Sequence, residues 1–175
     1  MKTKKIMCFL LTALSFGNNI TAQTSIKKMV KEKSVQGVTY VLEQYGDGKD
    51  VLKNKNGIYE QLMKVRGKDC ESFAIQDQDA SVFAEKKIVK SIFSDARIKQ
   101  LSTDYTNNFR VLCICDQMGE IKAVNFINVK THEITLQEIK ALEDAFLKLK
   151  VSIYNRCPEV RYFKFTTPIH FKDFL

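Results

Sequence analysis

Cysteine and histidine side chains are the groups in this chain best suited to covalent or metal chemistry. Outside the apolar run that holds Cys8 they are few: Cys70, Cys113, Cys115, Cys157, His132 and His170. A nucleophilic cysteine needs an imidazole to activate it, and Cys70 with either histidine is the best, although weak, candidate for such a pair. Zinc sites favour a Cys-x2-Cys spacing, whereas one residue separates Cys113 from Cys115. We therefore expect no catalytic residue, no metal and no cofactor.

The first 22 residues have the layout of an export signal. Lysines near Met1 precede an apolar run from Ile6 to Phe16, and small residues end at Ala22 before Gln23. This is the pattern of a cleavable signal peptide. The apolar run is shorter than the roughly 20 residues that span a bilayer. We expect a periplasmic or secreted mature protein that starts at Gln23 and has no integral membrane segment.

An oxidising compartment makes disulfides relevant for the four mature cysteines. Cys113 and Cys115 lie two apart in a predicted strand, roughly 6.6 Å apart along it, which is too far for a bond between them. Two interpretations stay open. Cys157 bonds with one of them, or all four, Cys70 included, are buried thiols that behave as small apolar side chains.

The positive charge is concentrated early in the mature chain. Residues 23–69 contain ten Lys or Arg against six Asp or Glu. Such a basic third favours an acidic polymer or an anionic membrane surface, although a soluble surface with ordinary imbalance gives the same count. Acidic residues are interspersed and no dense basic block is present, so we expect no nucleic-acid partner.

We divide the chain into a signal peptide (1–22), an N-terminal region with weak patterns (23–78) and an α+β domain (79–175). In the N-terminal region we expect a short helix over 24–34 and either a strand or a helix over 38–42. Glycines indicate turns at 46–50 and 53–57.

The domain begins with a helical pattern at Asp79, whose carboxylate can cap the helix. Its apolar face is predicted to contain Val82, Val89, Ile92, Phe93 and Ala96. Ser94 and Asp95 predict an interruption, after which the helical pattern continues to Leu101.

A hairpin is predicted next, from strands over Phe109–Asp116 and Ile121–Val129 with a turn at Gly119. In the first strand Leu112 and Ile114 share one face. The opposite face carries Val111, Cys113 and Cys115.

The strongest local signal is a capping box formed by Thr135 and Glu138. It starts an amphipathic helix predicted from Leu136 to Ile153, on which Glu143 and Asp144 are assigned to the polar side. Pro158 is expected to stop the helical region. Val160–Phe165 and Ile169–Phe171 then predict a strand pair or one bent strand, with Pro168 at the break.

This order of strand, turn, strand, capped helix and strand resembles the C-terminal domain of TonB-type proteins. The resemblance covers about Phe109 to Phe171 and uses Gly119, the helix from Leu136 and a terminal apolar pattern. That pattern consists of Phe163-Lys164-Phe165, Ile169 and Phe171. It implies a hairpin packed on one helix, with a last strand that closes the sheet. TonB transducers also have an uncleaved membrane helix and a Pro-rich spacer, whereas this chain has two prolines.

The Ala22-Gln23 junction, together with the general style of the chain, resembles small uncharacterised exported proteins of Bacteroides-type bacteria. That resemblance implies export from the cytoplasm and no particular activity.

These expectations combine into an antiparallel sheet packed on helices in a non-enzymatic exported protein that binds an envelope protein or peptide. The TonB-like resemblance implies that an exposed strand receives a peptide by edge addition, with Arg161–Phe171 as the candidate edge. The candidate binding residues are Arg161, Tyr162, Lys164 and His170. The alternative is an enzyme that acts on an envelope polymer through a cysteine or a histidine.

Overall fold

The hairpin predicted over residues 109–129 lies inside an antiparallel sheet of six strands in the computed structural model. The structure describes residues 29–45, 48–65, 73–75, 78–155, 157 and 159–175. The strands are β1 (Met29–Val35), β2 (Val38–Gln44), β3 (Asp50–Asn54), β4 (Phe73–Ile75), β5 (Phe109–Asp116), β6 (Ile121–Ile127), β7 (Ile153–Asn155) and β8 (Tyr162–Ile169). The helices are α1 (Tyr59–Val65), α2 (Gln78–Ile92), α3 (Asp95–Ser102) and α4 (Leu136–Leu147). Short 3₁₀ turns span Tyr105–Asn107 and Phe171–Phe174.

The sheet order is β1-β2-β3-β6-β5-β8, and β4 pairs with β7 in a separate ribbon. Three helices, α2, α3 and α4, cover one face of the large sheet and build the main core with it. The shorter α1 covers part of the opposite face, where Tyr59 and Leu62 pack against Ile114 and Ala123. The α+β class, with an antiparallel sheet packed on helices, is confirmed.

Alternation along β5 follows the prediction. Val111, Cys113 and Cys115 point into the main core, whereas Leu112 and Ile114 point toward α1. Both faces of this strand are covered, so its solvent-facing side chains are few and its sequence is almost continuously apolar.

The helix predicted over 24–34 is wrong for residues 29–34, which belong to β1; residues 24–28 lie outside the described part of the chain. Lys31 to Ser34 are all exposed, so no period-two pattern of apolar residues indicated a strand. The strand alternative for 38–42 is confirmed by β2. Gln36 and Gly37, both with positive φ, join β1 to β2, as a two-residue hairpin turn requires.

Helix α2 begins at Gln78, one residue before Asp79, whose side chain is not among those described, so its predicted capping role stays a prediction. The predicted interruption at Ser94 is confirmed: its hydroxyl accepts a hydrogen bond from the Arg97 amide at 3.2 Å and caps α3. Val89 and Phe93 are buried as predicted, whereas Ala96 is exposed.

The capping box at Thr135 is confirmed, but α4 ends at Leu147 and not at Ile153. The reason is tertiary. Gly119 in the β5–β6 turn accepts a hydrogen bond from the Val151 amide at 2.9 Å, which holds this segment extended beside the hairpin. A side chain at position 119 would place its Cβ 1.8 Å from the Val151 carbonyl oxygen, so the contact needs glycine.

The final strand is one continuous element, β8, with Pro168 inside it. Pro158 lies outside the described residues. After β8, the Phe171 ring packs edge-to-face on Phe93 at 5.3 Å and against Phe109 at 6.1 Å, which fixes the end of the chain to the core. No helix in the described ranges combines the length and the apolar character needed to cross a membrane.

Candidate functional site

The predicted binding edge is formed by β8. This strand pairs with β5 from Tyr162 to Ile169 and, within the described ranges, with no other strand. A proline inside a paired strand has its nitrogen on the side away from the partner, because it has no N–H to donate. Residues two apart share an orientation, so Tyr162, Lys164 and Thr166 direct their backbone N–H and C=O groups outward with Pro168.

Three of the four predicted binding residues lie together. Arg161 and Lys164 are exposed, and Tyr162 is half-buried against the small core under α1. His170 follows the opposite end of β8, where its Nδ1 lies 3.6 Å from Asp173 Oδ2. Tyr162 and Lys164 therefore share one face of β8, Arg161 directly precedes the strand, and His170 lies apart at its other end.

The strand itself is held firmly. The Thr167 hydroxyl donates to Glu85 Oε1 of α2 at 2.6 Å, on the face that meets the main core. Phe163 and Ile169 are buried in that core. The edge is thus a rigid surface of the sheet, which lowers the entropy cost of adding a further strand.

The cysteines divide into two kinds. Cys113 and Cys115 are free, fully buried thiols. Burial raises the pKa of Cys113 well above its usual value and that of Cys115 to about 12, so neither forms a reactive thiolate near neutral pH. Cys157 is disulfide-bonded, and the interpretations that pair it with Cys113 or Cys115, or leave it a free thiol, are wrong. Cys70 lies outside the described residues.

The histidines lie on exposed surface. His132 is on the turn before α4, with its Nε2 3.9 Å from Glu133 Oε1. Among the side chains that the structure describes, no group of three His, Cys, Asp or Glu residues is arranged to hold a metal ion.

A cavity of about 330 Å³, which the sequence did not reveal, lies at the opposite end of the sheet. It is on the main-core face, between β1, β2 and the turn that precedes α4. Its lining residues are Lys31, Lys33, Tyr40, Leu42, Leu52, Thr131, His132 and Leu136. Lys31 is the register partner of Leu42, and Lys33 that of Tyr40, so both lysines extend over the same face as the apolar floor.

A buried carboxylate lies behind this floor. Glu143 of α4 is 6% exposed and accepts hydrogen bonds from the Tyr40 hydroxyl and from Asn54 Nδ2, the latter at 3.2 Å. Its assignment to the polar side of the helix is wrong. Burial, followed by the hydrogen bond to Glu143, raises the pKa of Tyr40, so this hydroxyl remains a donor.

A second buried carboxylate, Glu43, lies on the opposite face of β2. It forms an ion pair with Lys53 at 3.0 Å and accepts a hydrogen bond from the Tyr45 hydroxyl at 2.7 Å. That hydrogen bond, with burial, raises the pKa of Tyr45 to about 12. Glu43 is thus neutralised by a cation, whereas the two donors to Glu143 are neutral groups.

Arg97 holds the rim of the cavity in place. Its guanidinium donates to Glu138 at 2.8 Å and 3.2 Å and to the backbone carbonyl of Glu133. Glu138 also accepts from the Thr135 amide at 2.7 Å. Burial acts to raise the pKa of Glu138, but these hydrogen bonds outweigh it, so the pKa lies below its usual value. The turn that carries Thr131 and His132 is thereby fixed to α3 and α4.

No protein-family model matches this sequence, and no curated protein matches it. Among solved structures, the fold is similar to the crystal structure of a DUF5043 family protein from Bacteroides uniformis. The TM-score is 0.59 at 18% identity, over 85% of this chain and 95% of that chain. At this identity the likeness establishes the fold alone. It agrees with the resemblance to uncharacterised proteins of Bacteroides-type bacteria, and a TonB-like identity receives no support from it.

Proposed function

We propose that this protein is a non-enzymatic exported protein that binds an extended peptide segment of an envelope partner along the outer edge of β8. The observation that carries the proposal is the one-sided pairing of β8 in the described structure. A strand with unpaired backbone groups on one side binds an extended peptide through main-chain hydrogen bonds. Export itself rests on the signal pattern in residues 1–22 and is part of the proposal.

The side chains around the edge favour an acidic peptide. Lys164 is an exposed cation of β8, Arg161 is an exposed cation directly before it, and Tyr162 offers a half-buried aromatic ring on the same face as Lys164. Opposite charges on neighbouring strands stabilise pairing by roughly 0.2–1 kcal/mol per pair. Pro168 lacks an N–H group and therefore limits the pairing to the segment from Tyr162 to Thr166.

The TonB-like resemblance implied a peptide-binding edge, and the proposal of such an edge here rests on β8 alone and not on that resemblance. The peptide mode needs only a rigid, one-sided strand with cations beside it, and β8 has both. The alternative enzyme has no comparable observation in its favour, since the free thiols in the described ranges are buried.

A peptide-display selection against the full chain, followed by hydrogen exchange of the complex, tests the proposal. A selected peptide should slow amide exchange at Tyr162, Lys164 and Thr166 while the alternate residues of β8 change little. The charge reversal Lys164→Glu should weaken binding of acidic peptides about fivefold or more, whereas Lys172→Glu, an exposed lysine beyond the strand, should change it less than twofold.

The proposal fails if selected peptides protect amides away from β8, or if Lys164→Glu and Lys172→Glu weaken binding equally. It also fails if the protein cleaves the selected peptides. In that case mass spectrometry would detect the fragments, and the enzyme alternative would replace it.

A further inference from the structure

The cavity at the β1 end of the sheet combines an apolar floor with a cationic rim. Tyr40 and Leu52 are almost fully buried, and Leu42 and Leu136 are half-buried, so apolar surface faces the opening. Lys31, Lys33 and His132 surround it. Its volume of about 330 Å³ is at the small end of the range of ligand pockets, about 300–1,000 Å³.

The rim lysines differ from several lysines that lie on or directly after other strands of the sheet. Lys53, Lys55 and Lys122 each form an ion pair with a carboxylate. In the described part of the chain, Lys31 and Lys33 form none. Glu32 lies between them in sequence, but it is on the opposite face of β1 and pairs with Lys55 at 2.9 Å. Among the described residues, no acidic side chain lines the cavity.

The interior sets the orientation of a ligand. Tyr40 donates its hydroxyl to Glu143, so the floor presents the apolar part of the ring and no spare donor. Glu143 lies behind that ring and repels a negative charge that approaches it. An anionic group is therefore most stable at the rim, near Lys31 and Lys33, with an apolar body directed inward over Leu42 and Leu52.

We propose that this cavity binds a small amphipathic organic anion, such as a medium-chain carboxylate, with its charged head between Lys31 and Lys33 and its apolar body on the leucine floor. The site lies across the sheet from the β8 edge and does not depend on peptide binding there. An anionic head group with an apolar chain occurs both in a free amphiphile and in an anionic lipid. We assign the cavity to the free molecule because the cavity is small.

Calorimetric titration of the full chain with decanoate tests this, with 1-decanol as the neutral probe of equal chain length. Decanoate should bind, and at least about fivefold more tightly than decanol, with an affinity that falls as salt rises. The double variant Lys31→Met with Lys33→Met should weaken decanoate binding about five- to tenfold, because two exposed ion pairs are lost.

A matched control removes the same charge elsewhere. Lys86→Met with Lys87→Met, two exposed lysines of α2, should leave decanoate affinity within about twofold. Thr131→Phe, which fills the cavity from its rim, should abolish binding while the protein keeps its circular dichroism spectrum. The four lysine positions are exposed and Thr131 is half-buried, so the circular dichroism spectrum of each variant shows whether a loss of binding comes from a loss of folding.

Failure to bind decanoate overturns the proposal, as does equal affinity for decanol, or equal weakening by the two lysine pairs. Sedimentation with phosphatidylglycerol vesicles distinguishes the source of the anion. If the protein binds the vesicles through Lys31 and Lys33 but does not bind free decanoate, the ligand is a membrane surface and the proposal is wrong. Whatever ligand binds, lysines on an exposed edge strand such as β1 also oppose its pairing with another chain.

Discussion

The two hairpins β1–β2 and β5–β6 belong to one sheet but are stabilised in different ways. The β5–β6 hairpin is covered on both faces, and its turn is locked to Val151 through Gly119. The β1–β2 hairpin has an exposed outer strand, and a Cβ at its turn glycine, Gly37, would have nothing within 4 Å. One hairpin is determined by packing. The β1–β2 hairpin depends on its turn and on polar contacts. The cavity that we assign to a ligand lies beside it.

The largest expected difference separates the two turn glycines, which have nearly equal φ, +76° at Gly119 and +78° at Gly37. Gly37→Ala should destabilise the protein by about 1–2 kcal/mol, the cost of the left-handed conformation alone. Gly119→Ala adds a backbone clash with Val151, so we expect a loss of about 3 kcal/mol or more. Urea denaturation of both variants measures the two values.

Equal losses for the two alanine variants would contradict this contrast. They would mean that the segment after α4 moves away from the turn at little cost, and that tertiary docking does not end the helix at Leu147.

The β5–β6 hairpin was predictable because local and tertiary signals agree there. β5 was predicted with its bounds and faces, and the capping box of α4 was identified from Thr135 and Glu138. The end of α4 was not, since it depends on a contact between Val151 and a glycine in a turn far back in sequence. Local periodicity carries no information about such a contact.

The β1–β2 hairpin and the cavity were harder to predict from the sequence. β1 is an edge strand whose side chains from Lys31 to Ser34 are exposed, so it lacks an apolar period. Glu143 is a residue type typical of a helix surface, yet it is buried, and its donors Tyr40 and Asn54 lie 103 and 89 positions earlier in the sequence. The lysine spacing at 31 and 33 was a usable signal for a shared strand face, but only once β1 was known to be a strand.

The second prediction compares the two buried carboxylates on opposite faces of β2. Tyr40→Phe leaves Glu143 with one described donor fewer and no described cation partner, so we expect a loss of about 1–3 kcal/mol. Tyr45→Phe removes a donor from Glu43, which keeps Lys53, and should cost less than about 1 kcal/mol. Thermal unfolding of both variants gives the ranking, and a larger loss for Tyr45→Phe would reverse it.

The third and smallest effect concerns the rim that positions the ligand cavity. Arg97→Met removes the guanidinium that holds Glu138 and the Glu133 carbonyl, and should cost about 1–2 kcal/mol near pH 7. Lys140→Met, which removes a helix pair with Asp144, should cost only about 0.3–0.5 kcal/mol. Urea midpoints at pH 7 provide this comparison.

The dependence on pH separates an ionic contribution of Arg97 from simple packing. The pKa of Glu138 is lowered in the folded protein, so its carboxylate stabilises the fold above its unfolded pKa of about 4.3, and this stability is lost as pH falls through the lower folded value. The difference in unfolding free energy between the native protein and the Arg97→Met variant should therefore shrink as the pH drops below about 4. A gap that stays constant from pH 7 to pH 3 would mean that the alkyl chain of Arg97, and not its charge, holds the turn beside the cavity.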